Sequence, residues 1–249
     1  MDSLENYFYL IKRLKNISEL KKLVIFSGAG MSAESGIKTF RDNDGLWENY
    51  NIEDVATPQA FKKDPALVLD FYNQRRRQLR NAKPNKAHNI IAQLESKYDV
   101  TVITQNIDNL HEIAGSTKVI HLHGELLKAE SSINPRLVYD LKDKDLFIGD
   151  LCELGSQLRP HVVWFGEQVP MMGIALKKVQ EAEILITIGT SLEVYPAAGL
   201  VSATRSTCKK YIIDPLLPSI IQNDNFTFIQ KKASEGIASL ANILEVDLS

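Results

Sequence analysis

Five short apolar runs stand out along the chain: Leu23 to Phe26, Val100 to Thr104, Val119 to Leu122, Ile184 to Ile188 and Tyr211 to Ile213, with helical stretches between several of them. Continuous apolar runs suit strands buried on both faces of a parallel sheet better than strands with one wet face. Strand alternating with helix predicts a doubly wound, mostly parallel α/β sheet, and a ligand beyond the carboxyl ends of its strands. Residues 58–97 read as helical throughout, in two pieces divided near Pro84. Residues 125–160 are charged and keep no sustained period. These insertions predict a smaller lobe, about 36–97 and 125–160, set into a large lobe of about 1–35, 98–124 and 161–249, all one domain. At the start, Leu4, Phe8, Ile11 and Leu14 recur at helical spacing beside Asp2 and Glu5, which predicts an amphipathic helix and no targeting peptide.

The first strand runs into Gly28-Ala29-Gly30, with Ala33 as a third small position. Such spacing lets the backbone turn sharply and approach a diphosphate, with amides from about Met31 onward facing the negative charge, as in Rossmann-like sheets. A glycine pair after a strand is also often only a turn. The acid expected about 20 residues further on in a dehydrogenase is missing. In its place lies a long polar loop, GIKTFRDNDGLWENYNIEDVATP, in which Phe40, Arg41 and Trp47 could close over a cofactor.

At 249 residues, 44% apolar and 24% charged, the chain has the composition of an ordinary soluble domain with ample core. Its net charge of −2 gives no reason to propose nucleic acid or a membrane surface as partner. The run Arg75-Arg76-Arg77 reads as a solvated helix face. Two cysteines, Cys152 and Cys208, make no disulfide framework, so a reducing cytoplasm is expected.

Polar clusters close the strands. Gln105, Asn106 and Asp108 follow the second run; His121 and His123 end the third; Gly189, Thr190 and Ser191 follow the fourth; Asp214 follows the fifth and is suited to ribose hydroxyls. Strand alternation sends His121 and His123 to one face, so a metal pair is conceivable, but no third ligand is near. A single general base, His123, beside the small Gly124, is the preferred reading.

The segments GAGMSAESGIKTFR, TQNIDNLHEIAG, HLHGEL, RPHVVWFGE and IGTSLEVYPAAG resemble, in order and spacing, the sirtuins, which are NAD-dependent protein lysine deacylases. The resemblance is greatest to bacterial class III members, whose helical lobe carries Tyr-x-x-Arg, here Tyr72 and Arg75. It implies transfer of the acyl group from lysine to ADP-ribose with release of nicotinamide. His123 would take a ribose hydroxyl proton, Asn106 orient the ribose, Asp108 hold the carboxamide, and Phe40 shield the reacting ribose. Gly28, Ala29, Gly30, Ser32, Arg41, Trp47, Gln105, Gly189, Thr190, Ser191, Asp214 and Ala233 would bind the rest of NAD. Val163, Trp164, Phe165, Gly166 and Glu167 would offer an open strand edge to the acylated peptide. A small Ala56, with Tyr72 and Arg75 gripping a carboxylate, would admit succinyl- or malonyl-lysine as well as acetyl-lysine.

Two departures matter. Most sirtuins carry four zinc-binding cysteines in the small lobe; here only Cys152 lies between Gly124 and His161, with Ser131 and Ser132 about where the first pair would begin. No zinc is expected, and the lobe must hold itself by packing, for which Ile133, Leu137, Val138, Tyr139, Leu146, Phe147 and Ile148 are available. Asp214 stands where relatives commonly have asparagine; it would repel a 2′-phosphate, favouring NAD over NADP. Other readings are an NAD hydrolase or mono-ADP-ribosyltransferase, against which the peptide edge and the Tyr72–Arg75 pair argue, and a catalytically silent NAD sensor, against which His123 and Asn106 argue. A monomer is expected.

Overall fold

A computed structural model describes residues 20–37, 46–47, 50–216 and 225–246. The expected N-terminal helix, Phe40 and Arg41 lie outside the described residues, as does the side chain of Trp47. In chain order the strands are β1 (Lys22–Ser27), β2 (Leu46–Trp47), β3 (Tyr50–Asn51), β4 (Asp99–Thr104), β5 (Val119–His121), β6 (Gly124–Ser131), β7 (Val138–Asp140), β8 (Leu158–Val162), β9 (Ile184–Ile188), β10 (Lys209–Ile213) and β11 (Phe226–Ile229). Among the described residues the helices are α1 (Gly30–Ala33), α2 (Ile52–Val55), α3 (Pro58–Lys63), α4 (Pro65–Asn81), α5 (Lys86–Leu94), α6 (Leu110–Ile113), α7 (Met172–Glu181) and α8 (Ala233–Ile243), with a 3-10 helix at Ala197–Ala203.

All five expected strands form. With β11, which the sequence reading lacked, they make a six-stranded parallel sheet in the order β11-β10-β9-β1-β4-β5. Both faces are covered, as continuous apolar runs require. Leu23 and Ile25 of β1 pack with α5 and α8 through Ile90, Ile91, Ile237 and Leu240, while Val24 and Phe26 pack with α7 and the 3-10 helix through Val179, Leu200 and Val201. The order reverses direction at β1, which places a crevice beyond the ends of β1, β4 and β9.

The helical insertion has three pieces. Thr57-Pro58 and Asp64-Pro65 each start a helix: the Thr57 hydroxyl accepts from Ala60 N–H at 3.0 Å, the Asp64 carboxylate from Leu67 N–H at 3.0 Å, and proline at N1 has no amide to lose. The expected break near Pro84 is present, and Asn85 caps α5. That last helix, counted with the small lobe from sequence, belongs to the core of the large sheet.

Residues 125–160 also differ from expectation, since they form an antiparallel sheet, β7-β6-β8. A register shift between Gly124 and Ala129 breaks the alternation of β6 and hides it from a period-two reading. This sheet is tied to α4 by polar bonds. Fully buried Arg76 donates to Leu126 O at 2.9 Å and to Asn73 Oδ1 at 2.5 Å, and Asn73 exchanges bonds with both backbone groups of Leu146 at 2.9 Å. Arg77 and Arg80 grip Asp145 at 2.6 and 3.0 Å. The arginine run is therefore not a solvated face: Arg75 and Arg76 are buried, and burial pulls Arg76 down to about 10.

Candidate active site

The strand ends converge on one cavity of about 820 Å³, a size suited to a dinucleotide. It is lined by Gly28, Ala29, Gly30, Ser32, Gln105, Asn106, Asp108, His123, Gly189, Thr190, Ser191, Asp214 and Ala233, and by Ala56, Tyr72, Arg75 and 163–167.

Its floor is an interlock of two glycine turns. Gly30 N–H donates to Gly189 O at 2.9 Å, and a Cβ on Gly28 would stand 2.7 Å from Thr190 Cβ and one on Gly30 2.9 Å from Gly189 Cα. Only hydrogen fits at these positions, so the glycines serve the contact between turns as well as access to the cavity. The anion-facing amides expected from Met31 onward are otherwise engaged. Met31 and Ser32 N–H donate to Gly28 and Ala29 carbonyls at 2.9 and 3.1 Å, and α1 is a single turn.

Above this floor runs a polar chain. Asn106 Nδ2 donates to Ser32 Oγ at 3.1 Å, Ser32 Oγ donates to Asp108 Oδ2 at 2.8 Å, and Leu110 N–H donates to Asp108 Oδ1 at 3.1 Å. Burial pushes the Asp108 carboxyl up, opposed by the Ser32 and Leu110 bonds. Gln105 Nε2 reaches Thr190 Oγ1 at 3.0 Å, and Asp214 accepts from Leu216 N–H at 2.9 Å.

His123 has a defined tautomer. Its Nδ1 lies 3.0 Å from Gln105 O, and since a carbonyl has no proton to give, Nδ1 donates. Nε2 of the neutral ring then carries the basic lone pair. Burial pulls the imidazole below its ordinary range, against the pull of the Gln105 bond, so it is neutral at pH 7.

Ala56, Tyr72, Arg75 and Trp164, all buried, line another part of the same cavity. Arg75 lies over the Phe71 ring at 4.6 Å. Burial pushes the Tyr72 phenol well up, so it is a neutral hydroxyl. The expected strand edge at 163–167 is absent: β8 ends at Val162, and a turn follows with Gly166 at φ +88°. Val163 and Phe165 N–H already donate to His123 O at 2.9 Å and Ala56 O at 3.0 Å. Trp164 and Glu167 are braced by Arg159, which stacks on the indole at 3.5 Å and bonds the carboxylate at 2.6 and 3.0 Å.

The Sir2 family profile matches residues 28–196, spanning the glycine turn, the histidine and the small lobe. The chain belongs to the Sir2 family. An NAD-dependent protein deacylase of Helicobacter pylori is 53% identical over 89% of this chain and 96% of its own length. One of Bacteroides thetaiotaomicron is 50% identical over 90% and 98%. A solved Sir2 homologue in complex with NAD superposes with a TM-score of 0.82 at 40% identity, covering 96% of this chain and 94% of that one.

This Sir2 chain has a hydroxyl cluster in its small lobe. Cys152 Sγ lies 3.3 Å from Ser131 Oγ and 3.1 Å from Ser156 Oγ, and the serines lie 3.0 Å apart. Those bonds draw the thiol down to about 7. One thiol and two hydroxyls do not suit tetrahedral zinc, and no group of three or more His, Cys, Asp or Glu among the described residues could hold a metal. Of the pair Ser131 and Ser132, only the first joins the cluster; Ser156 was not anticipated.

Sequence reasoning also missed Gln78, Glu193, Val194 and Tyr195 on the cavity wall. The signals were available: Gln78 is one helical step beyond Arg75, and 193–195 continue the Gly189-Thr190-Ser191 turn. Among the described residues no helix is long and apolar enough to cross a membrane.

Proposed function

We propose that this protein is an NAD-dependent protein-lysine deacylase that moves the acyl group to ADP-ribose and releases nicotinamide. One observation carries the reading: His123, its Nδ1 bonded to Gln105 O, keeps a basic Nε2 on the wall of a dinucleotide-sized cavity floored by two interlocked glycine turns. NAD supplies an anomeric carbon with a good leaving group. The protein's part is binding, orientation and one proton: Asn106 orients the ribose, Asp108 accepts from the carboxamide, and His123 removes a ribose hydroxyl proton.

We further propose that succinyl- and malonyl-lysine are substrates beside acetyl-lysine. Tyr72 and Arg75 lie one helical step apart on α4 and line the same cavity, where a hydroxyl and a guanidinium can hold one carboxylate. The acylated peptide would lie across the Phe165–Gly166 turn, where Phe165 is exposed. The test is incubation of pure protein with NAD and acetyl-, malonyl- and succinyl-lysine peptides, with products identified by mass. Free ADP-ribose without acyl transfer would instead mark an NAD hydrolase.

A further inference from the structure

His121 stands two residues before the proposed base and makes a different set of bonds. Its Nδ1 lies 3.0 Å from Asn106 O, and its Nε2 lies 2.7 Å from Glu112 Oε1 on α6. A carbonyl accepts only, and an ionised carboxylate accepts only. Both ring nitrogens must therefore carry hydrogen, which makes this imidazole a cation, unlike its neighbour. The two histidines clamp consecutive peptide groups: His123 holds Gln105 O and His121 holds Asn106 O. The side chain of His121 is 8% exposed and that of Glu112 39%, so the pair is shielded at the imidazole and open to solvent at the carboxylate.

The surrounding charges agree with the geometry. Burial pulls His121 down, but the bond and charge of Glu112, the Asn106 carbonyl and Glu125 together hold it above its ordinary value. Glu112 is pushed up by burial and drawn down further by His121 and Lys128. The charge of His121 also helps keep Asp108 ionised and disfavours a second proton on buried His111.

We infer that His121 and Glu112 form a charged positioning pair, in which imidazolium His121 fixes the Asn106 peptide and through it the Asn106–Ser32–Asp108 chain. Neither residue lines the cavity, so the pair acts through Asn106 and Asp108 and not on substrate. The kinetic part of this inference rests on the deacylase reading; the protonation state does not. Loss of the His121 proton at alkaline pH removes the charge beside Asp108. The pH profile then has two limbs, an acid limb set by His123 and an alkaline limb set by His121.

The test compares wild type with Glu112→Gln, which can still hydrogen-bond His121 but carries no charge. In nitrogen-15 imidazole spectra of the protein without NAD, His121 of wild type should have both nitrogens protonated at pH 7. In the variant its midpoint should fall by roughly one pH unit or more, the effect of removing one adjacent opposite charge. A neutral His121 in wild type at pH 7 overturns the inference whatever the activity proves to be. With NAD and an acetyl-lysine peptide, the alkaline limb of kcat/KM should move to lower pH by the same amount, the acid limb stay in place, and the melting temperature change little. A uniform drop with neither limb moved would make the pair merely structural and overturn the inference. Should wild type fail to deacylate any peptide, the functional reading falls, and the spectra alone decide the pair.

Discussion

The indole N–H of Trp164 donates to the phenolic oxygen of Tyr72 at 3.0 Å, linking the turn after β8 to the helix that carries Tyr72 and Arg75. One lone pair of the phenol is thereby engaged, which limits where its own proton can point. A charge-assisted bond to a distal carboxylate is worth roughly 1.5 to 3 kcal/mol, or tenfold and more in rate constant. Arg75→Met and Tyr72→Phe should each lower kcat/KM for succinyl-lysine peptide by about that factor and leave acetyl-lysine nearly unchanged. Equal losses on the two peptides would show the pair to be structural.

His123→Ala should abolish turnover, by a factor of at least about 100, while NAD still binds in calorimetry. On the proposed reading the neutral ring is the active form. Because burial holds its pKa below 6.5, kcat/KM should rise with pH below that value and level off before neutrality. An acid limb centred above 7 would point to another base.

Buried His88 and His111 supply a stability prediction. Their rings lie 4.9 Å apart; burial pulls His88 down to about 4 and His111 well below 6.5. The unfolded chain binds protons at 6.5 and the folded protein does not, so stability is lost as pH falls below 6.5, by up to about 2 kcal/mol per histidine at pH 5. His88 Nδ1 accepts from Asn85 N–H in a capping box, a bond that glutamine can also make. His88→Gln should therefore keep the helix and flatten the acid slope of the unfolding free energy by about one proton. An unchanged slope would show that His88 is already protonated in the fold.

The hydroxyl cluster around Cys152 predicts that purified protein holds no stoichiometric zinc and that chelators change neither melting temperature nor deacylation. Cys152→Ser should cost about 1 kcal/mol or less, since a hydroxyl can replace the thiol among the two serines. About one zinc per chain by metal analysis would mean ligands contributed from outside the described residues.

The large sheet was legible because strands buried on both faces need unbroken apolar runs, and the polar ends of those runs then named the cavity wall. The small lobe was not. The register shift in β6 removes the alternation that marks a half-buried strand, and β7 has only three residues. Nothing local distinguishes Arg76 from Arg77: one is buried because Leu126 O and Asn73 receive it, the other pairs at the surface with Asp145. The split at Asp64 was readable, since a capping acid before proline is a helix start. The contact of His121 with Glu112, nine residues earlier, is made by the chain returning from α6 into β5 and has no local sequence signal.

Helix α4 offers Tyr72, Arg75 and Gln78 to the cavity and Asn73, Arg76, Arg77 and Arg80 to the small sheet. The residues proposed to hold the acyl chain and those that brace the small lobe thus share one rod. On the proposed reading of Tyr72 and Arg75, Asp145→Ala, which removes the partner of Arg77 and Arg80, should loosen the register of α4 and change the ratio of kcat/KM on succinyl- to acetyl-lysine peptide, making this loop a handle on specificity.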